Sequence, residues 1–191
     1  MSAAERSTVS ADVSELPDVI PQLRAGDRLL LSGGIYTARD AAHIRMFEML
    51  DAGEELPFNL RDAVIYYVGP TPGNGQRPVG ACGPTTSSRM DAFTPRLHDM
   101  GLLATIGKGD RSVAVWDAIV RNNAIYLCAV GGAGALVSKH IVDMEEIAFS
   151  ELGCESIKRL TINSMPLTVA IDSMGGDIFR IGRQRYERSK M

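Results

Sequence analysis

The stretch Arg28-Leu29-Leu30-Leu31-Ser32-Gly33-Gly34-Ile35-Tyr36-Thr37-Ala38-Arg39-Asp40-Ala41-Ala42-His43 decides the fold class. Arg28 to Ser32 is a short apolar run of strand length, ended by a Gly-Gly turn. From Thr37 the pattern predicts a helix to Asp51. Thr37 can cap it, Asp40 falls in the first turn where the helix dipole favours an acid, and Gly53 lies just past the end. Ala42, Met46, Met49 and Leu50 share one face. A strand, a glycine turn and a helix in succession form the repeating unit of α/β folds.

The alternation continues outward. Ala63 to Val68 (AVIYYV) is a strongly β-forming run that stops at Gly69-Pro70. Pro70 to Gly75 is a loop rich in turn signals. Arg77 to Cys82 reads as a returning strand. Met90, Phe93 and Leu97 share a helical face, and Pro95 marks a helix start or a kink. Leu102 to Ile106 reads as a strand, and Val113, Trp116, Ile119 and Val120 line the next helix. Ala124 to Val130 is a buried strand closed by Gly131-Gly132-Ala133-Gly134. Ala135 to Ile141 begins another helix, and Ile147 to Phe149 is a short edge strand. Arg159 to Asn163 and Leu167 to Asp172 are strands around Pro166, and Asp177 to Ile181 is a last one. The expected class is α/β, a single domain over residues 15–182 with a mixed sheet and flanking helices. Residues 1–14 read as a flexible N-terminal arm and 183–191 as a charged tail.

Composition narrows the partners. A chain of 191 residues suits one well-cored domain. A net charge of -3 offers no basic footprint for nucleic acid. No apolar run reaches membrane-spanning length. Met1 to Ser14 lacks the layout of a signal peptide, so a cytoplasmic setting is expected. Cys82, Cys128 and Cys154 are widely spaced and form no CxxC pair. Neither a disulfide framework nor an iron–sulfur site built by this chain alone is expected.

Chemistry concentrates at Gly83-Pro84-Thr85-Thr86-Ser87-Ser88-Arg89-Met90-Asp91. Gly83-Pro84 sets a turn, and the hydroxylated run can cap a following helix. Arg89 adds a planar fork suited to a carboxylate. Ordinary capping with a solvated arginine is the competing reading. Arg39 opens a helix after a strand, where ligands collect in open α/β sheets. It is either an anion clamp or half of a local pair with Asp40 or His43. His43 reads as a hydrogen-bonded structural group rather than a base. Lys108 stands between Gly107 and Gly109 after a strand, either as a point charge on a ligand or as a plain charged turn; it forms no Walker A motif. The run Gly131 to Ala135 fails the dinucleotide spacing and reads as close packing or anion contact. If Arg39, Arg89 and Lys108 converge, the ligand carries more than one negative charge, and a dicarboxylate is the natural small candidate. No catalytic triad, paired acids or metal-ligand spacing accompanies them.

These segments, together with Tyr66 to Pro70 and Glu151-Leu152-Gly153, resemble the C-terminal or β-subunit part of the class I iron–sulfur hydro-lyases, the family of fumarases and L(+)-tartrate dehydratases. The resemblance covers about residues 15 to 182. It implies a swivelling β/β/α domain that docks on a larger α subunit, expected as an α2β2 heterotetramer. It places a [4Fe-4S] cluster in that partner rather than in this chain. By the same resemblance Arg39, Arg89 and Lys108 hold the substrate, and Thr85 occupies the position proposed for the catalytic base. The wording favours a fumarase β subunit, which hydrates fumarate to (S)-malate. The alternatives are a tartrate dehydratase or other dicarboxylate hydro-lyase β subunit, a non-catalytic anion-binding module, and a self-sufficient enzyme without iron.

Overall fold

The computed structural model describes residues 8–75 and 77–187. Seven strands form one sheet in the order β1-β2-β3-β4-β5-β7-β6, with a further pairing of β2 to β7. The strands are β1 (Thr8–Asp12), β2 (Arg28–Thr37), β3 (Val64–Tyr66), β4 (Ala104–Gly107), β5 (Ile125–Cys128), β6 (Ile141–Ala148) and β7 (Ile157–Ile171). β1, β2, β3, β4 and β5 run parallel. β7 runs antiparallel to β2, β5 and β6. The circuit β2–β3–β4–β5–β7–β2 therefore closes, and the sheet curls around its own core.

Side-chain alternation separates inside from outside. Val64 and Tyr66 of β3 join Ala104, Ile106, Ile125, Leu127, Leu29, Leu31, Leu160 and Ile162 in the inner cluster. Ile65 and Tyr67 face the other way, against Ala42, Met46 and Leu97. Those three residues belong to helices: α2 spans Asp40–Asp51 and α3 spans Thr94–Asp99, after a short α1 at Leu16–Val19. Tyr126 likewise turns outward, onto Val115 and Ile119 of α4 (Val113–Arg121). A short α5 (Gly134–Val137) and the terminal α6 (Ile178–Tyr186) complete the helices.

Several elements differ from the sequence reading. Thr8–Asp12 is a strand paired with Arg28–Ser32, where a loose arm was expected, and residues 1–7 lie outside the described residues. β2 does not stop at Gly33-Gly34 but runs through them, with an irregularity between Leu31 and Gly33. A side chain at Gly33, whose φ is +109°, would collide with the Asp12 carboxylate. Thr37 consequently ends the strand instead of capping α2; its hydroxyl accepts the Lys158 N–H at 3.0 Å. Pro166 interrupts nothing, because β7 is one strand of 15 residues. Asp177 to Ile181 is helical: Asp177 caps α6 through the amides of Phe179 and Arg180. Val79 makes only an isolated bridge to Pro72 rather than belonging to a strand. The tail is helical as far as Tyr186, and residues 188–191 lie outside the described residues.

Candidate functional site

Because β2, β3, β4 and β5 are parallel, the loops after them open on one end of the sheet. Arg39 follows β2, the Gly83–Asp91 segment follows β3, Lys108 follows β4 and the glycine run follows β5. This is where ligands gather in α/β sheets.

The backbone of the signature is stitched to β3 and β4. The Thr85 N–H donates to Tyr67 O at 2.7 Å, Lys108 N–H to Thr85 O at 3.2 Å and Ser87 N–H to Lys108 O at 2.9 Å. The hydroxyls do not cap a helix as expected. Only a 3-10 turn follows, at Ser87–Met90, and its cap residue Thr86 makes no side-chain cap bond. Thr86 Oγ1 instead accepts from Lys108 Nζ at 2.8 Å. Ser87 is buried, and its Oγ accepts from Tyr126 Oη at 2.9 Å and from the Lys108 amide at 3.0 Å. Thr85 is buried too, and its hydroxyl makes no hydrogen bond among the described residues. Gly107 is glycine because a Cβ there would overlap Ser87 Oγ, so its role is packing rather than ligand approach. Gly131 leaves room for the Lys108 stem, and Gly134 lies against Gly83.

Arg39 and Arg89 meet through acids. Arg89 Nε donates to Asp40 Oδ1 at 2.9 Å, and its Nη2 lies 2.7 Å from Oδ2. Arg39 Nη2 donates to Glu155 Oε1 at 2.6 Å, while its Nε stands 4.0 Å from Asp40. The expected local Arg39–Asp40 pair is present at 4.0 Å, joined by two shorter long-range pairs that tie Arg39 to Glu155 and the half-exposed Arg89 to Asp40. Burial pushes the Glu155 carboxyl up, but the Arg39 hydrogen bond and the Ala41 amide outweigh it and hold the group below the usual range. An arc results: Lys108 at Thr86, then Arg89, Asp40, Arg39 and Glu155.

His43 is fully enclosed. Its Nδ1 lies 3.0 Å from the Arg39 carbonyl, which fixes the proton on that nitrogen. Burial pushes its pKa down to about 4, with a further push from Arg111. It acts as packing beside Tyr67 and Phe93.

Sequence reasoning missed Arg111 and Glu155, and it left Asp91, the end of the signature, without a partner. The Arg111 guanidinium is buried between the Tyr67 and Tyr126 rings, 5.4 Å and 4.9 Å from their centroids. It donates to Asp91 at 2.7 Å and to Thr94 at 2.8 Å. Asp91 also accepts the Ser112 amide at 2.6 Å, so the end of the signature is pinned to the start of α4. Glu155 lies two residues beyond the Glu151-Leu152-Gly153 segment, and its separation from Arg39 left no local spacing to read.

Among the described residues no three His, Cys, Asp or Glu side chains are grouped as metal ligands. Cys82 is buried with its thiol pushed up to about 12, Cys128 is half-buried and Cys154 is exposed. Among the described residues these cysteines form no ligand group of the kind an iron–sulfur cluster needs.

The fold and this shelf define an α/β domain that presents cationic side chains at the carboxyl ends of parallel strands. A family model described as the fumarase C-terminus matches residues 1–182. The chain belongs to that family. It is 35% identical over 184 residues to the anaerobic class I fumarate hydratase of Escherichia coli, covering 93% of this chain and 34% of that one. It is 33% identical to fumarate hydratase 2 of Leishmania major over 169 residues, 87% of this chain and 30% of that one. It is also 35% identical to a Methanocaldococcus jannaschii protein named "Putative L(+)-tartrate dehydratase subunit beta", covering 88% of this chain and 90% of that one. The chain spans about a third of the length of the curated fumarate hydratases it matches. No helix among the described residues is long and apolar enough to cross a membrane.

Proposed function

We propose that this chain is the β subunit of an iron–sulfur hydro-lyase that interconverts fumarate and (S)-malate by reversible hydration. The observation that carries this reading is the arc itself. Arg39, Arg89 and Lys108 lie on neighbouring strand-end loops, and Asp40 bridges toward both arginines. A dicarboxylate supplies the anionic ends that such an arc matches. Arg39 and Arg89 bind the carboxylates, and Lys108 contributes a point charge near the hydroxyl. Thr85 lies beside them as the proton-handling group. A threonine hydroxyl is a weak base at its free pKa, so it needs activation by a neighbouring cation.

The reading includes a partner. The Methanocaldococcus relative is named as a subunit beta, which supports a complementary α subunit for this chain also. The [4Fe-4S] cluster belongs to that subunit, and when bound it supplies a Lewis acid at the hydroxyl. The assembly is proposed as an α2β2 heterotetramer in the cytoplasm. The same relative supports a second reading, an L(+)-tartrate dehydratase β subunit, since one hydroxyl separates the substrates.

Co-expression with a cluster-bearing chain, anaerobic reconstitution, and assay on fumarate, malate and tartrate tests the proposal. Turnover of fumarate and malate by the complex alone is the expected result. Faster turnover of tartrate establishes the second reading. Hydration of fumarate by this chain without its partner overturns the split site. Binding of dicarboxylates without turnover leaves an anion-binding module.

A further inference from the structure

An arginine clamp on a flexible stem loses affinity to the cost of ordering it, unless the protein orders it beforehand. We propose that Glu155 is a positioning residue that holds Arg39 ready for a substrate carboxylate. This rests on the reading of Arg39 as a clamp.

Glu155 uses both oxygens on one residue's surroundings. Oε1 accepts from Arg39 Nη2 at 2.6 Å. Oε2 accepts the Ala41 N–H at 2.9 Å, in the first turn of α2, whose cap residue is Arg39. The arginine side chain and the first turn of the helix that follows it are thus held by a single carboxylate. Beyond Glu155 the guanidinium makes no hydrogen bond among the described residues, and its buried Nε stands 4.0 Å from Asp40. Nε has no hydrogen-bond partner, and Nη1 lies toward Gly69, where a Cβ would come within 3.2 Å of it.

Glu155 is itself braced. It ends the 3-10 segment Ser150–Glu155, and the next residues tie that segment to β2. Ser156 Oγ donates to Glu146 at 2.6 Å. Lys158 Nζ donates to Gly153 O at 2.8 Å and contacts Ser156 Oγ. The Thr37 hydroxyl accepts the Lys158 N–H at 3.0 Å, two residues before Arg39. The brace runs from β7 through the loop to the guanidinium, and such support is what keeps a site geometry tight.

A latch that substrate must displace would use the same ion pair but carries the opposite sign. Losing a brace weakens substrate binding, whereas losing a latch strengthens it. Glu155→Ala and Glu155→Gln in the full chain, co-expressed with the cluster-bearing partner, separate the two. Glu155→Ala is expected to raise KM for fumarate about tenfold while kcat changes less than about threefold. Glu155→Gln keeps one acceptor oxygen and turns an NH2 donor toward the second N–H, so it is expected to recover only part of the loss. In parallel, phenylglyoxal labelling of Arg39 in the chain alone, read by mass spectrometry, is expected to speed up about fivefold in Glu155→Ala, because an unpaired guanidinium is freer to react. A lowered KM overturns the brace in favour of a latch. Unchanged KM and labelling, or lower kcat and melting temperature at constant KM, overturns it in favour of a merely structural contact. A wild-type complex inactive on fumarate, malate and tartrate overturns the proposed function instead, and the labelling alone then decides whether Glu155 orders Arg39.

Discussion

Arg111 and Asp91 form a buried ion pair, Nε to Oδ1 at 2.7 Å, with the Arg111 side chain fully enclosed. Burial opposes the charge on Arg111, but Tyr67, Asp91 and Tyr126 outweigh it and raise its pKa. The pair lies beneath the signature and joins it to the loop after β4. It pins Asp91, the last residue of the signature, to the segment that opens α4.

Removing one member of such a pair leaves the other charge buried and alone. Arg111→Ala is expected to destabilise the chain by about 3–5 kcal/mol. Urea unfolding of the chain measures it. A loss below about 1 kcal/mol would show that water reaches Asp91 and that the pair is not structural.

Gly107→Ala places a methyl group against Ser87 Oγ and Tyr67. Overpacking of this kind costs about 1–3 kcal/mol. The double variant G107A/S87A removes the nearest clashing atom and is expected to recover part of that stability. Additive losses in the double-mutant cycle would mean that the two positions do not meet.

Acid should loosen the fold through two histidines. His43 and His98 are both buried and pushed down to about 4 from 6.5, first by burial and, against their backbone hydrogen bonds, further by Arg111. Their folded pKa is depressed, so the unfolded chain binds more protons between those values. The stability they contribute is present in full above about pH 6.5 and is lost as pH falls toward 4. About 2–3 kcal/mol per histidine is at stake. Urea midpoints taken from pH 7.5 to pH 4.5 report it, and a flat profile across that window rules the mechanism out.

Thr85→Val keeps the shape of the side chain and removes the hydroxyl. In the reconstituted complex it is expected to lower kcat by about a hundredfold with little change in KM, as general base loss does. A rise in KM at constant kcat would make Thr85 a substrate contact only.

Local patterns were legible where one residue type dominates a short span. The AVIYYV run reads directly as strand, and its alternation sends Tyr66 inward and Tyr67 outward. Pro95 does mark a helix start, at α3. Asp177 misled because β-branched and aromatic neighbours suggest a strand, whereas its side chain accepts from two helix amides. Thr37 misled because a hydroxyl before a helix fits a cap, yet β7 competes for it with a backbone N–H. Pro166 misled because proline often ends strands, but a strand tolerates it where no ladder donor is needed.

The sequence by itself determined the alternation of strand and helix and the cations after successive strands. Both follow from local periodicity and turn chemistry, which need no distant partner. Which acid holds which arginine was decided only by the tertiary structure. Closure of the sheet brings β7 alongside β2, so Glu155 reaches Arg39, and the parallel order of β2 and β3 brings Asp40 to Arg89. Ion pairs act over a few ångströms in space, and separation along the chain carries no trace of that distance.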